Sequence, residues 1–450
     1  MNIAFIGAGG VRWGPMIIRD LTLTPGLDGC SLILYDIDKS ALERVWRYAM
    51  ALQHRLPDRL RMDRTLSLHR ALEDRDIVIL SISAGKLTLM AQELELASRF
   101  DVHHTTGDTI GPAGISRAMR HIPVILNIAR QMESICPHAL LLNTTNPLSP
   151  LIAAVERYSR IRTLGLCHEP HHVVRHLLRM LNRPPSSTFV RASVWGVNHF
   201  SWFTRLDFDG EPFRDLWRRS RGFKSSRCPG PWHPAINAVI GRAGYYIASR
   251  SGGVSSVMTL ALNLKLFNDF GVLPACRPRH FAEFMPEVVN PGTNWGRFYA
   301  VPSISVIQRR QFERDNLREI LHFIRNPDAP ISFSGRCIAP LIRTLSCKTP
   351  ERYYINVTES PGDRGGVIER DVLIHADKGR VRPDLPGSLI RRIRTILELQ
   401  NCIVQAIAER DPRMLLQVMR QDPLGRHCSN PGALLDGLIR INRRWWNDEV

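Results

Sequence analysis

The sequence predicts an α/β fold, a Rossmann-type parallel sheet domain followed by an α+β second domain. Two observations carry that expectation. Through the first half of the 450-residue chain, short unbroken apolar runs alternate with segments of helical periodicity. This is the pattern of a parallel sheet covered on both faces. The first run, Asn2–Gly7, also passes directly into a glycine turn, Gly7-Ala8-Gly9-Gly10, and then into a helical segment reaching about Leu23. Ser31–Asp36 supplies a second strand, with helical spacing after Asp38. Ile77–Ile82, Ala139–Asn143 and Thr163–Leu166 read as further short strands, and helices around Gln92–Phe100, Ile122–Ile135 and His171–Leu181 separate or follow them. From Val194 onward strand-like and helical stretches mix irregularly, with turn-rich segments at Ser225–Pro234 and Ser360–Gly366. Late in the chain Leu389, Ile390, Ile393, Ile396, Leu397 and Val404 recur at helical spacing, which predicts a long amphipathic helix packed on the core. The change of character near Trp195 divides the chain into a cofactor-binding domain, 1–195, and a substrate, metal and oligomerisation domain, 196–450.

Composition narrows the function. A hydrophobic fraction of 44% and a charged fraction of 23% are ordinary for a soluble globular enzyme. No apolar run approaches the roughly 18 residues that span a bilayer. The start, Met1-Asn2-Ile3-Ala4, has no basic stretch ahead of its apolar residues and reads as a strand, not a signal peptide. A cytoplasmic protein without membrane contact is expected. The net charge of +18 comes mostly from scattered Arg, since Lys occurs only at positions 39, 86, 224, 265, 348 and 378. Without a basic block or a reader motif, nucleic acid is not an expected partner, and a small anionic substrate suits the charge better. Nine Cys, an odd number without a C-x-x-C pair, speak against a disulfide framework or a zinc ribbon.

The glycine turn would let backbone N–H groups approach a pyrophosphate at the positive end of the first helix. Asp36, at the end of the second strand, stands where a carboxylate binds the ribose hydroxyls, which favours NAD over its phosphorylated form. Position 12, where the fingerprint has its third glycine, is Arg12. Taken singly, such a turn is also an ordinary strand-to-helix connection. Cys167 follows the strand Thr163–Leu166, and His199 follows the β-like run Ser193–Val197. Thiolate and imidazole together suit a borderline divalent ion, although their spacing alone does not separate them from two unrelated core residues.

Several motifs then occur in a fixed order: Gly7-Ala8-Gly9, Gly107-Asp108-Thr109-Ile110-Gly111-Pro112, Asn143-Thr144-Thr145-Asn146-Pro147, Cys167-His168-Glu169, Gly196-Val197-Asn198-His199, Arg279-His280-Phe281-Ala282-Glu283-Phe284 and Asp422-Pro423-Leu424. The ordered set resembles glycoside hydrolase family 4 over nearly the whole chain. The resemblance implies NAD and a divalent metal, usually Mn²⁺, as cofactors, and a homodimer or homotetramer. It implies a reaction in which C3 of the sugar is oxidised, the C2 proton is lost and the aglycone leaves by elimination, without the usual pair of catalytic carboxylates. By the same resemblance Cys167 and His199 hold the metal, Asn146 and Asn198 contact substrate, and Asp108 contacts substrate or donates a proton. Cys-His-Glu resembles members acting on unphosphorylated α-glucosides or α-galacturonides. One departure stands out. Pro278 occupies the place of the Asp proposed as acid or base in this branch, and proline cannot transfer a proton. Tyr245, Tyr246 and His280 are the candidate replacements. Arg279 could pair bidentately with a substrate carboxylate, which favours a uronide over a neutral glucoside. Two other readings remain open: a relative that binds NAD and metal but has lost turnover through Pro278, and a plain NAD-dependent dehydrogenase of the lactate/malate type.

Overall fold

The computed structural model describes residues 1–222, 259–289, 299, 301–347, 349–358, 366–375 and 383–447. Alternation of side chains along each short apolar strand puts half of them on each face of the sheet, and both halves are covered. In β1 (Asn2–Ile6), Ala4 and Ile6 enter one core while Ile3 and Phe5 enter the other. β4 (Ile77–Leu80) divides in the same way, Val78 and Leu80 against Ile77 and Ile79. With β2 (Cys30–Tyr35), β3 (Leu60–Thr65), β5 (Leu140–Asn143) and β6 (Thr163–Leu166), these strands pair in parallel in the order β3-β2-β1-β4-β5-β6. That is the doubly wound dinucleotide-binding order, with its crevice at the carboxyl ends of β1 and β4. β3 is absent from the sequence-based expectation for a physical reason. As an edge strand it keeps only Leu60 and Thr65 buried, so its Leu-Arg-Met-Asp-Arg-Thr run lacks the apolar signature of its neighbours.

The sheet does not stop at β6. β11 (Arg352–Thr358) pairs antiparallel with β6, then β12 (Val367–Leu373), β7 (Val190–Val197), β8 (Phe200–Phe208) and β10 (Leu273–Pro274) follow, each antiparallel to the last. β9 (Glu211–Pro212) adds a short pairing to β8. The change of character read near Trp195 therefore falls inside a strand, and one sheet carries both the parallel and the antiparallel part. The amphipathic segment around Leu389–Val404 is the helix Gly387–Ala408. Its first turns pack Leu389, Ile393 and Ile396 under the antiparallel strands, and its later Leu399, Ile403 and Ile407 pack on the parallel ones. Among the described residues no helix is long and apolar enough to cross a membrane.

Candidate active site

At the cofactor edge the chain leaves β1 and folds back against β2. The N–H groups of Gly7 and Ala8 both donate to Tyr35 O, at 2.9 and 3.0 Å. Gly9 N donates to Asp36 Oδ2 at 2.8 Å, and Asp36 Oδ1 accepts from Asp38 N at 2.9 Å. The carboxylate expected to meet a ribose is thus fixed by the same backbone that forms the glycine turn. The missing third glycine also has a substitute. A Cβ on Gly14, in the helix Trp13–Leu23, would run into the carbonyl of Ala8, so the close helix-to-turn packing falls to position 14 while Arg12 stands just before the helix.

The second group of residues gathers at the carboxyl ends of β5 and β6, on the same edge. Asp108, His199 and His280 each place one donor atom so that all three lie within 4.8 Å of one another. His199 reaches this point because Asn198 and His199 form the tight link between β7 and β8, with His199 in the left-handed region at φ 67°. His280 reaches it through packing. Phe200, next to His199, stacks on Phe281 and Phe284 at 4.8 and 5.0 Å, which sets the His199 and His280 rings 4.3 Å apart.

Hydrogen bonding assigns the protons. Thr109 Oγ1 donates to Asp108 Oδ1 at 2.8 Å, so the 2.7 Å contact with His199 Nδ1 must use that nitrogen's hydrogen. His199 then keeps the lone pair of Nε2 for a ligand. Burial, with His280 nearby, lowers the His199 pKa to about 4, so the ring is neutral at neutral pH. His280 Nε2 instead accepts from Arg279 Nε at 3.1 Å, leaving the proton on Nδ1. That nitrogen is buried without a hydrogen-bond partner, 3.6 Å from Asp108 Oδ1. Burial works to raise the Asp108 pKa, but His280, His199 and Arg117 outweigh it and hold the carboxyl well below its usual range. A carboxylate and a neutral imidazole form a donor set that fits a divalent ion of the manganese kind.

Cys167 lies beside this group and not within it. Asn198 hydrogen-bonds the thiol, while burial and the Glu369 and Glu169 carboxylates push its pKa well above the ordinary value. A thiolate there would need a cation to offset two acids. Asn146 Nδ2 donates to Asp108 Oδ2 at 3.3 Å, on the cis Asn146–Pro147 bond, and Asn146 O contacts His121 Nδ1 at 2.9 Å. Arg279 is half-buried, and its carbonyl accepts from the hydroxyls of Thr105 and Thr106. Pro278 begins the short helix Pro278–Phe281. Tyr245 and Tyr246 lie outside the described residues.

Three buried acids hold the arrangement, and sequence reasoning assigned none of them a role. Glu283 Oε1 accepts from the N–H groups of Thr106 and Gly107 at 2.6 and 2.7 Å, fixing the loop that carries Asp108. Asp422 accepts from Gly111 N at 3.0 Å, which positions the start of the helix Gly111–Ile135. Glu369 takes hydrogen bonds from Asn198, Ser201 and Asn356. Glu283 and Asp422 belong to motifs already singled out, and their partners are the neighbours of Asp108. That was the available signal.

Comparison with known proteins now decides the family. Residues 2–183 match the family 4 glycosyl hydrolases, and residues 194–425 match the C-terminal domain of the same family. The chain belongs to glycosyl hydrolase family 4. An α-galactosidase of Bacillus subtilis is 30% identical over 435 residues, covering 94% of this chain and 93% of the relative. An α-galacturonidase of the same organism is 25% identical over 439 residues, with the same coverage of 94% and 93%. The structure of a 6-phospho-α-glucosidase from gut microorganisms, in complex with NAD and Mn²⁺, superposes with a TM-score of 0.76 at 16% identity, covering 99% of this chain and 98% of that one. Membership makes the protein an enzyme of the NAD- and metal-dependent glycosidase class and sets aside the plain dehydrogenase reading.

Proposed function

We propose that this family 4 glycosidase hydrolyses an unphosphorylated α-linked uronic-acid glycoside of the α-galacturonide type. The observation that carries the reading is the meeting of Asp108, His199 and His280 within 4.8 Å, on the sheet edge from which the Gly7–Gly10 turn departs. A relative named α-galacturonidase that aligns along nearly the whole chain supports the uronide, as does the wealth of Arg.

In this reading the Gly7–Gly10 turn, whose own N–H groups are held by Tyr35 O, Asp36 and Gly7 O, lets the pyrophosphate approach the start of the first helix, and Asp36 meets the adenosine ribose. His199 and Asp108 would hold the divalent ion, with Cys167 as a further donor once its proton is lost. When bound, the nicotinamide would supply a two-electron oxidant and the ion a Lewis acid. Asn146 and Asn198 orient the sugar hydroxyls and their neighbouring donors. His280 carries the proton-transfer role that Pro278 cannot, because its buried Nδ1–H is without a hydrogen-bond partner, 3.6 Å from Asp108 Oδ1, while Arg279 fixes the ring. Tyr245 and Tyr246 remain the alternative carriers.

The reading is tested by supplying an aryl α-galacturonide with NAD, Mn²⁺ and reductant in D₂O. Hydrolysis with deuterium at C2 of the released sugar is expected. Hydrolysis without that label would mean direct displacement and would overturn the mechanism. Absence of turnover on α-galacturonides, α-galactosides and α-glucosides alike would favour a family member that has lost activity through Pro278.

A further inference from the structure

The loop before the helix Ile338–Cys347 brings an arginine over the cofactor turn, and nothing in the chemistry above uses it. Ser334 is tied to Asp20 of the first helix, which accepts from its N–H at 2.9 Å and from its hydroxyl. Gly335 has φ 75°, and Arg175, which donates to its carbonyl at 3.3 Å, sits 2.7 Å from where a Cβ would be. The positive φ favours glycine, and the resulting turn lays Arg336 across Trp13, with Cζ 4.5 Å from the ring centroid. Trp13 in turn stacks on His168, centroids 5.8 Å apart and planes 25° apart. His168 is only 7% exposed, and neither of its ring nitrogens has a hydrogen-bond partner.

Acids near this cluster are already engaged. Asp20 is occupied by Ser334, and Glu169 by the backbone and guanidinium of Arg277. Among the described residues no carboxylate forms an ion pair with Arg336. A cationic guanidinium and a deeply buried imidazole without a hydrogen-bond partner therefore meet on the same indole, Trp13. Glu169, next to His168 in the chain, lies 3.7 Å from His280 Nε2, which links this cluster to the candidate catalytic group.

We propose that Arg336, braced on Trp13 and joined by His168, forms the subsite that receives the carboxylate of the substrate's uronic-acid unit. The proposal rests on the uronide reading given above. The guanidinium fork matches a carboxylate bidentately, and a His168 N–H adds a third donor. Arg12, at the start of the same helix as Trp13, strengthens the positive field. It also makes the dinucleotide pyrophosphate the rival source of the anion.

Calorimetric titration of D-galacturonate, D-galactose and NAD into the wild-type protein, Arg336→Gln and Arg336→Lys separates the two. Arg336→Gln should weaken galacturonate about 10- to 100-fold, as expected for losing hydrogen bonds to a charged group, while galactose and NAD stay within about twofold. Arg336→Lys should recover part of the loss, because it restores the charge without the fork. Weaker NAD with unchanged galacturonate would assign Arg336 to the cofactor and overturn the proposal. Equal loss for both sugars, or a wild-type protein that does not prefer galacturonate, would overturn it too. Because these are binding measurements, a protein that holds galacturonate through Arg336 yet hydrolyses no galacturonide would refute the proposed function alone. Turnover of galacturonides with unaltered galacturonate binding by Arg336→Gln would refute the subsite alone.

Discussion

The cofactor turn and the group around Asp108 are built in opposite ways. On the parallel side the dinucleotide cleft is a matter of backbone. Gly7, Ala8 and Gly9 are satisfied by Tyr35 O and Asp36, so one βαβ unit contains everything the turn needs. The metal-binding group, where the parallel strands meet the antiparallel ones, is made of side chains drawn from segments around positions 108, 146, 199 and 280 and held by buried acids and stacked rings from elsewhere in the chain. The first kind of site tolerates distant change because its parts are adjacent in sequence. The second depends on tertiary packing throughout. Changes on one side should therefore leave the other side's ligand largely untouched.

The largest effect is expected for His199→Ala. Removing the imidazole with the free Nε2 lone pair should abolish tight metal binding and lower kcat by about 10³-fold or more, roughly 4 kcal/mol of barrier. NAD affinity should stay near wild type. Metal analysis of the purified variant beside a NAD titration checks both, and joint loss of NAD would mean the two sites are one cooperative unit.

Next in size is Glu93→Ala. Glu93 and Arg120 form a fully buried bidentate pair, at 2.6 and 3.0 Å, that ties the helix following Asp108 to Asn442 near the end of the chain. Leaving the Arg120 charge unpaired should destabilise the fold by about 3 kcal/mol, measured by urea unfolding. A variant of wild-type stability would show that Arg120 finds another partner.

His280→Gln should cost about 10²-fold in kcat, the lower range for a lost proton carrier, with metal content retained. Metal lost along with activity would make His280 a ligand instead. The smallest change is expected on the parallel side. Asp36→Ala should weaken NAD about tenfold, roughly 1.4 kcal/mol, and narrow or reverse the preference over the phosphorylated dinucleotide. Unaltered selectivity would remove Asp36 from the ribose site.

The same contrast explains what could be read from sequence. The glycine turn and Asp36 were legible because their spacing along the chain is their geometry. β3 was not, since an edge strand with two buried residues carries little apolar signal. His199 was legible as a candidate ligand through its motif. Its closeness to Asp108 and His280 was not, because that depends on Phe200 stacking against Phe281 and Phe284. Nor was the role of Gly14, whose need for a bare Cα comes from the Ala8 carbonyl above it and not from any spacing rule.

The interposed pair β11–β12 has a consequence for how the chain reaches this structure. β7 follows β6 in sequence but never pairs with it, because Arg352–Thr358 and Val367–Leu373 must first slide between them. During synthesis the β7–β8 hairpin therefore exists before its place in the sheet does. Until residue 373 has left the ribosome, β6 and β7 each expose an unpaired strand edge, with Gly196 and Trp195 waiting for Glu369 and Arg370. Such edges invite pairing with other chains. Glu369 of β12 accepts hydrogen bonds from Asn198 and Ser201 on either side of His199, so the strand that closes the sheet also braces the turn that carries a candidate metal donor.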